Sequence, residues 1–200
     1  MKNPTFSHER ALIAEGFHVI VGVDEVGCGA LAGPVCAGAV VLPTDSHIGA
    51  LRDSKLLSPH LRETLYGVIV ARAAAWAVGW ASVEEIAVRN IRGATLLAMR
   101  RAVEQIQEAQ FLLVDAWTIP NIAVPQRGIV RGDRTVKSIA AASILAKVTR
   151  DRLMRDCHEQ YPLYGFDEHK GYGTQNHRRA IALYGPCAIH RKGWGPIGTH

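Results

Sequence analysis

The chain has 200 residues, 48% of them hydrophobic and 20% charged, with a formal net charge of +5 at pH 7. That length supports one substantial core in a single domain, and the excess of positive charge favours an anionic partner without specifying one. No apolar run approaches the roughly 20 residues of a membrane-spanning helix. Residues 1–10 lack the apolar segment of a signal peptide, so a cytoplasmic protein with no membrane association is expected. The four cysteines, Cys28, Cys36, Cys157 and Cys187, show no C-x-x-C spacing and read as buried free thiols.

Along the chain, residues 18–23 form an apolar strand signal that runs into Asp24 and Glu25 and then into Gly27-Cys28-Gly29. The glycines loosely fit a dinucleotide-binding turn, which requires a helix to follow. Here Pro34 and a second strand signal over 35–42 follow instead, so the bend reads as a hairpin. Ser58-Pro59 predicts a capped helix to about residue 73, followed by a strand over 74–81. Ser82 and Glu85 form a capping box for a short helix, and apolar spacing predicts a second helix over 91–110. Residues 111–115 are an apolar strand ending in Asp115, and 128–131 a fifth strand leading to Asp133. An alanine-rich helix is expected from 133 to about 160, and another over about 174–183. Hairpin strands followed by strands alternating with helices predict an α/β fold with a mixed sheet covered by helices.

Three strand signals thus end in, or lead into, carboxylates: Asp24-Glu25, Asp115 and Asp133. Adjacent strands would gather them at one end of the sheet, where α/β proteins bind ligands. Four such charges oppose one another's ionisation unless cations neutralise them, and all-oxygen ligation suits Mg²⁺ or Mn²⁺. Two ions about 3.5–4 Å apart would support in-line displacement at phosphorus. Asp24 and Glu25 cannot both reach one site from a regular strand interior, so a strand end or bulge is expected there. Taken alone, Asp115 could cap a turn, and Asp133 could be a helix N-cap. Asp151 reads as a solvated, salt-bridging acid.

The segments 22–35, Asp53-Ser54-Lys55-Leu-Leu-Ser58, 94–100, Leu113-Val-Asp115, Gly132-Asp133 with the helix through Asp151, His169-Lys170-Gly-Tyr172 and His190-Arg191-Lys192 together resemble ribonuclease HII, of the type 2 ribonuclease H family, over nearly the full length. The resemblance implies an RNase H-like fold with a central five-stranded mixed sheet. It implies a single catalytic domain, 1–200, in which about 160–200 form a helical, substrate-binding extension. The implied activity is endonucleolytic hydrolysis of RNA in RNA/DNA hybrids, and cutting 5′ of single ribonucleotides in duplex DNA. The products would carry 3′-hydroxyl and 5′-phosphate ends, as in primer and ribonucleotide removal. Asp24, Glu25, Asp115 and Asp133 match the family's catalytic, metal-binding acids, which hold two Mn²⁺ or Mg²⁺ ions.

For substrate, the resemblance assigns Gly27, Cys28 and Gly29 to the ribose 2′-hydroxyl and Tyr172 to the sugar after the ribonucleotide. Ser54, Lys55, Lys170, Arg191 and Lys192 read as contacts to the nucleic-acid backbone, and His169 and His190 as structural. A monomer is implied. The family turn usually carries a basic residue where Cys28 stands, which removes a phosphate-pairing side chain and places a thiol near the acids, open to oxidation. A non-catalytic nucleic-acid binder and a junction-resolving nuclease of the same fold are the alternatives. The intact acids argue against the first, and the glycine turn with the tyrosine loop against the second.

Overall fold

A computed structural model describes residues 3–49, 51, 54 and 57–194. Five strands form one sheet: β1 (Ile20–Val26), β2 (Val35–Val41), β3 (Ala75–Ala81), β4 (Phe111–Asp115) and β5 (Gln126–Ile129), in the order β3-β2-β1-β4-β5. The β1-β2 and β2-β3 pairs are antiparallel, while β4 runs parallel to both β1 and β5. Six α-helices accompany them: α1 (Ser7–Ala14), α2 (Pro59–Arg72), α3 (Val83–Val103), α4 (Lys137–Gln160), α5 (Phe166–His169) and α6 (Gln175–Tyr184).

Strand alternation decides which helix covers which face. Val21 and Val23 of β1 pack with Ala94, Ala98, Met99 and Ala102 of α3. On the opposite face α4 lies so close that a Cβ on Gly22 would overlap Ser138 and come within 2.5 Å of the Ile139 nitrogen. A second core joins Val40 and Leu42 to Leu65 and Ile69 of α2 and to Ala141, Ile144 and Leu145 of α4. The last third of the chain builds a separate cluster, in which Tyr164, Phe166 and Ile181 pack on Leu31, Ala32 and Met154.

Local signals behave as read at most ends. Ser58 accepts from the Leu61 amide, Ser82 and Glu85 complete both halves of a capping box, and Thr174 caps α6. Asn90 (φ 58°, ψ 171°) breaks α3 where the short and long helical patterns meet. That helix stops at Val103 rather than near 110, and β5 lies two residues earlier than expected. Asp133 is not the N-cap of α4. It sits in a 3₁₀ turn, Gly132–Arg134, and α4 begins at Lys137. A carboxylate remote in sequence serves that end instead: buried Glu9 of α1, a helix absent from the sequence reading, accepts from the Ser138 amide at 2.9 Å.

Candidate active site

The ends of β1 and β4, the 3₁₀ turn and the middle of α4 enclose a cavity of about 320 Å³. Asp24, Glu25, Asp115 and Asp133 all line it, together with Ser54, Ser143, Lys147 and Tyr172. The parallel pairing of β1 and β4 sets Val23 opposite Val114, which brings the acids that follow each of them to one edge. Asp115 also positions its neighbour, because its Oδ1 accepts from the Gly132 amide at 2.6 Å and so ties down the turn bearing Asp133.

Of the strand end or bulge expected here, the structure has the strand end: the β1-β2 register runs unbroken to Val26 opposite Cys36, where β1 stops. Asp24 lies on the α4 face and Glu25 on the α3 face. They share the cavity because β1 ends one residue later. Glu25 borders a second, apolar cavity of about 160 Å³ with Cys28, Ile91, Arg92, Thr95, Leu96 and Trp117.

Asp24 is buried, with its Oδ1 accepting from the Glu25 amide at 2.8 Å. Burial raises its pKa well above the ordinary carboxyl range, and the charges of Glu25 and Asp115 push it the same way; hydrogen bonds from Ser143 and the Glu25 amide oppose them. Ser143 in turn bonds Ser54 at 3.0 Å between hydroxyl oxygens. Among the described residues Lys147 is the cation of the cavity lining, but its ammonium is held by Asp151 at 2.6 Å. Asp151 is therefore salt-bridging as expected, yet buried rather than solvated. Ser143 and Lys147 were given no role from sequence. Their spacing of four on α4, continued by Asp151, is the signal that places them on one face.

The substrate residues divide. Tyr172 lines the cavity, its ring within 5.7 Å of the Lys147 ammonium and its backbone bridged to Ala30 of the glycine turn. Ser54 faces the acids but is buried against Ser143. Lys55 lies outside the described residues. Lys170 is half-buried and donates to the carbonyls of Asp167 and Glu168, whereas Lys192 is exposed. Arg191 requires correction. It is 1% exposed, and its guanidinium donates to the carbonyls of Gly27, Cys28 and Gly33, leaving no surface for a phosphate.

Cys28 turns its sulfur toward Thr95, 3.1 Å from the hydroxyl. Burial, then the Glu25 charge, pushes the thiol up to about 11, so oxidation sensitivity has almost no thiolate to act through. His169 and His190 are buried and neutral, His169 bonding the Tyr164 carbonyl at 2.6 Å and His190 bonding His177 at 3.0 Å.

A 3-2-1-4-5 mixed sheet with carboxylates at the ends of its central parallel strands defines an RNase H-like hydrolase. The sequence profile of ribonuclease HII matches residues 21–196. Ribonuclease HII of Pelotomaculum thermopropionicum is 49% identical over 195 residues, covering 96% of this chain and 73% of that protein. The Burkholderia ambifaria enzyme is 50% identical over 180 residues, covering 90% and 83%. The chain belongs to the ribonuclease HII family, and its reaction is hydrolysis of RNA in RNA/DNA hybrids.

Among solved structures, ribonuclease H2 of Pyrococcus horikoshii superposes with a TM-score of 0.74 at 24% identity, covering 90% of this chain and 95% of that one. An Mn²⁺ complex of Bst-RNase HIII matches with a TM-score of 0.61 at 18% identity, covering 84% and 63%. Both likenesses concern the fold. No helix among the described residues is long and apolar enough to cross a membrane.

Proposed function

We propose that the chain cuts 5′ of ribonucleotides, both in hybrids and singly embedded in duplex DNA, with Asp24, Glu25, Asp115 and Asp133 as the catalytic acids. The carrying observation is the convergence of these four carboxylates on one cavity, with Asp24 buried and its ionisation opposed by Glu25 and Asp115. The Lys147 ammonium in the cavity lining is engaged by Asp151. Among the described residues the acids line one cavity, but no three His, Cys, Asp or Glu side chains are drawn close enough to hold a metal ion as they stand. Even so, an all-oxygen donor set at a strand end fits Mg²⁺ or Mn²⁺. Two such ions, when bound, supply an activated water and neutralise charge on the leaving 3′-oxygen.

The remaining work falls to the chain's own groups. Asp115 fixes the turn carrying Asp133, and the Ser54–Ser143 pair supports the charged form of Asp24. Tyr172 and the backbone of Gly27, Cys28 and Gly29 flank the acids on a shared bridge. There they would test for a 2′-hydroxyl and for the sugar beside it, since that hydroxyl is what distinguishes RNA from DNA. Lys170, Lys192 and Lys55 are the candidate phosphate contacts. The four free thiols fit a reducing cytoplasm.

The test is incubation with Mg²⁺ or Mn²⁺ and three duplexes: all DNA, DNA with one ribonucleotide, and uniform hybrid. Cutting of the hybrid and of the single-ribonucleotide duplex on its 5′ side, lost in Asp24→Asn, is the expected result. Cutting of the hybrid alone would remove the single-ribonucleotide reading.

A further inference from the structure

Two arginines lie in the interior beneath the glycine turn, and neither has a role in the chemistry above. Arg191 donates to Gly33 O from Nε at 3.0 Å, to Cys28 O at 3.0 Å and to Gly27 O at 2.7 Å. Arg150, also fully buried, donates to Pro34 O at 3.0 Å, to Ala32 O at 3.1 Å and to Lys170 O at 2.9 Å. Six carbonyls are thus gathered by two guanidinium forks, five from residues 27–34 and one from the tyrosine loop. The fit is tight, since a Cβ on Gly27 would overlap Arg150 Nε and stand 2.9 Å from its Cδ.

Backbone contacts complete the join. Leu31 N donates to Gly171 O at 2.8 Å, Gly33 N to Ile189 O at 2.8 Å and Arg191 N to Leu31 O at 2.9 Å. The isolated bridges Ala30–Tyr172 and Ala32–His190 lie on the same path. Carbonyls drawn inward leave amides facing out. Among the described residues the turn's internal bond runs from Ala30 N to Gly27 O, while the Cys28 and Gly29 amides find no acceptor in the protein.

We propose that Arg150 and Arg191 are positioning residues that lock the glycine turn and the tyrosine loop into one rigid reading unit. Their carbonyl contacts aim the turn's amides at the substrate and fix the distance from those amides to Tyr172. The proposal rests on the reading of that turn and Tyr172 as the ribonucleotide-recognising surface. A guanidinium is required because its donors are fixed in a planar fork, whereas an ammonium presents three donors from one point and cannot span carbonyls spread along a loop. Burial lowers both guanidinium groups, and with Arg150 beside it Arg191 falls to about 10, so the Arg191 fork stays charged at neutral pH. That charge also supplies, from beneath the turn, positive potential that the Cys28 side chain does not offer from above.

The test uses Arg191→Lys and Arg150→Lys, which retain charge and remove the fork. Residue-level amide exchange without substrate is compared with kcat/KM on the uniform hybrid and on the single-ribonucleotide duplex. Arg191→Lys is expected to speed exchange at least tenfold at the hydrogen-bonded amides of residues 30–33 and 170–172 together, with β1 and β4 unchanged. The ratio of single-ribonucleotide to hybrid cleavage should fall at least tenfold. Faster exchange confined to 30–33, or an unchanged ratio despite faster exchange in both segments, overturns the proposal.

If the parent itself leaves the single-ribonucleotide duplex intact, it is the ribonucleotide reading that fails, and the exchange comparison alone decides the clamp. Should Arg191→Lys not fold, Arg150→Lys carries the same comparison. Should neither fold, the parent decides: the hydrogen-bonded amides of 30–33 and 170–172 must share one opening rate, and separate rates overturn the coupling.

Discussion

Replacing Asp24 by Asn should abolish cleavage and at the same time make the protein more stable. Asp24 is 5% exposed, and its carboxyl is held above its ordinary range first by burial and then by Glu25 and Asp115. A carboxyl whose folded pKa exceeds its unfolded value binds its proton more readily in the native state. Its contribution to stability is therefore fully present below the unfolded pKa, and is lost as pH rises through the folded value. Asn is isosteric, keeps an oxygen for the Glu25 amide and carries no charge to bury.

Each pKa unit of elevation corresponds to about 1.4 kcal/mol. In a chain of this length one kcal/mol moves the melting midpoint by about 2–4 °C, so each unit should appear as a rise of about 3–6 °C. The assay is thermal melting in EDTA at pH 8 and again near pH 4. Asp24→Asn should melt higher at pH 8, and the gap should close at pH 4, where the parent's carboxyl regains its proton. Adding Mg²⁺ at pH 8 should raise the parent more than the variant. A variant that melts at or below the parent at pH 8, or a gap indifferent to pH, would refute the charge-strain account of this site.

Other outcomes follow from packing and charge. Gly22→Ala drives a methyl into the α4 backbone at Ser138 and Ile139 and should cost about 1–3 kcal/mol, read as a midpoint lower by about 2–12 °C; a neutral result would mean that α4 is free to move off β1. Lys147→Met leaves Asp151 buried without its ammonium and should destabilise by about 3 kcal/mol in urea melts, with Lys147→Met/Asp151→Leu recovering most of the loss. With the Cys28 thiol near 11, mild peroxide at pH 7.5 should inactivate the parent no faster than Cys28→Ser, and alkylation of Cys28 should accelerate only above about pH 10. Rapid loss in the parent alone would show a thiolate that the geometry does not support.

Much of this protein is written locally. The caps at Ser58, Ser82 and Thr174 use side-chain oxygens three residues from the amides they serve, so their signals survive in a linear reading. The same holds for β4, a short apolar run bounded by its own acid. The acids at Asp24, Glu25, Asp115 and Asp133 were legible because a carboxylate at the end of an apolar strand is costly without a reason.

What tertiary structure decided lies where partners are remote in sequence. Arg191 reads as a surface base beside Lys192, yet 164 residues of separation close on Gly27 and turn it into an internal brace. The start of α4 is set by Glu9, 129 residues away, which no capping pattern around Asp133 could reveal. Asp24 and Glu25 share one cavity without a bulge, because β1 stops at Val26 while β4 runs parallel beside it. The sequence by itself determined which residues carry charge and which segments form the strands, to within a few residues. The burial and long-range pairing that convert those charges into a strained acid cluster and two internal clamps exist only once the chain has closed on itself, because desolvation and hydrogen-bond geometry depend on neighbours in space.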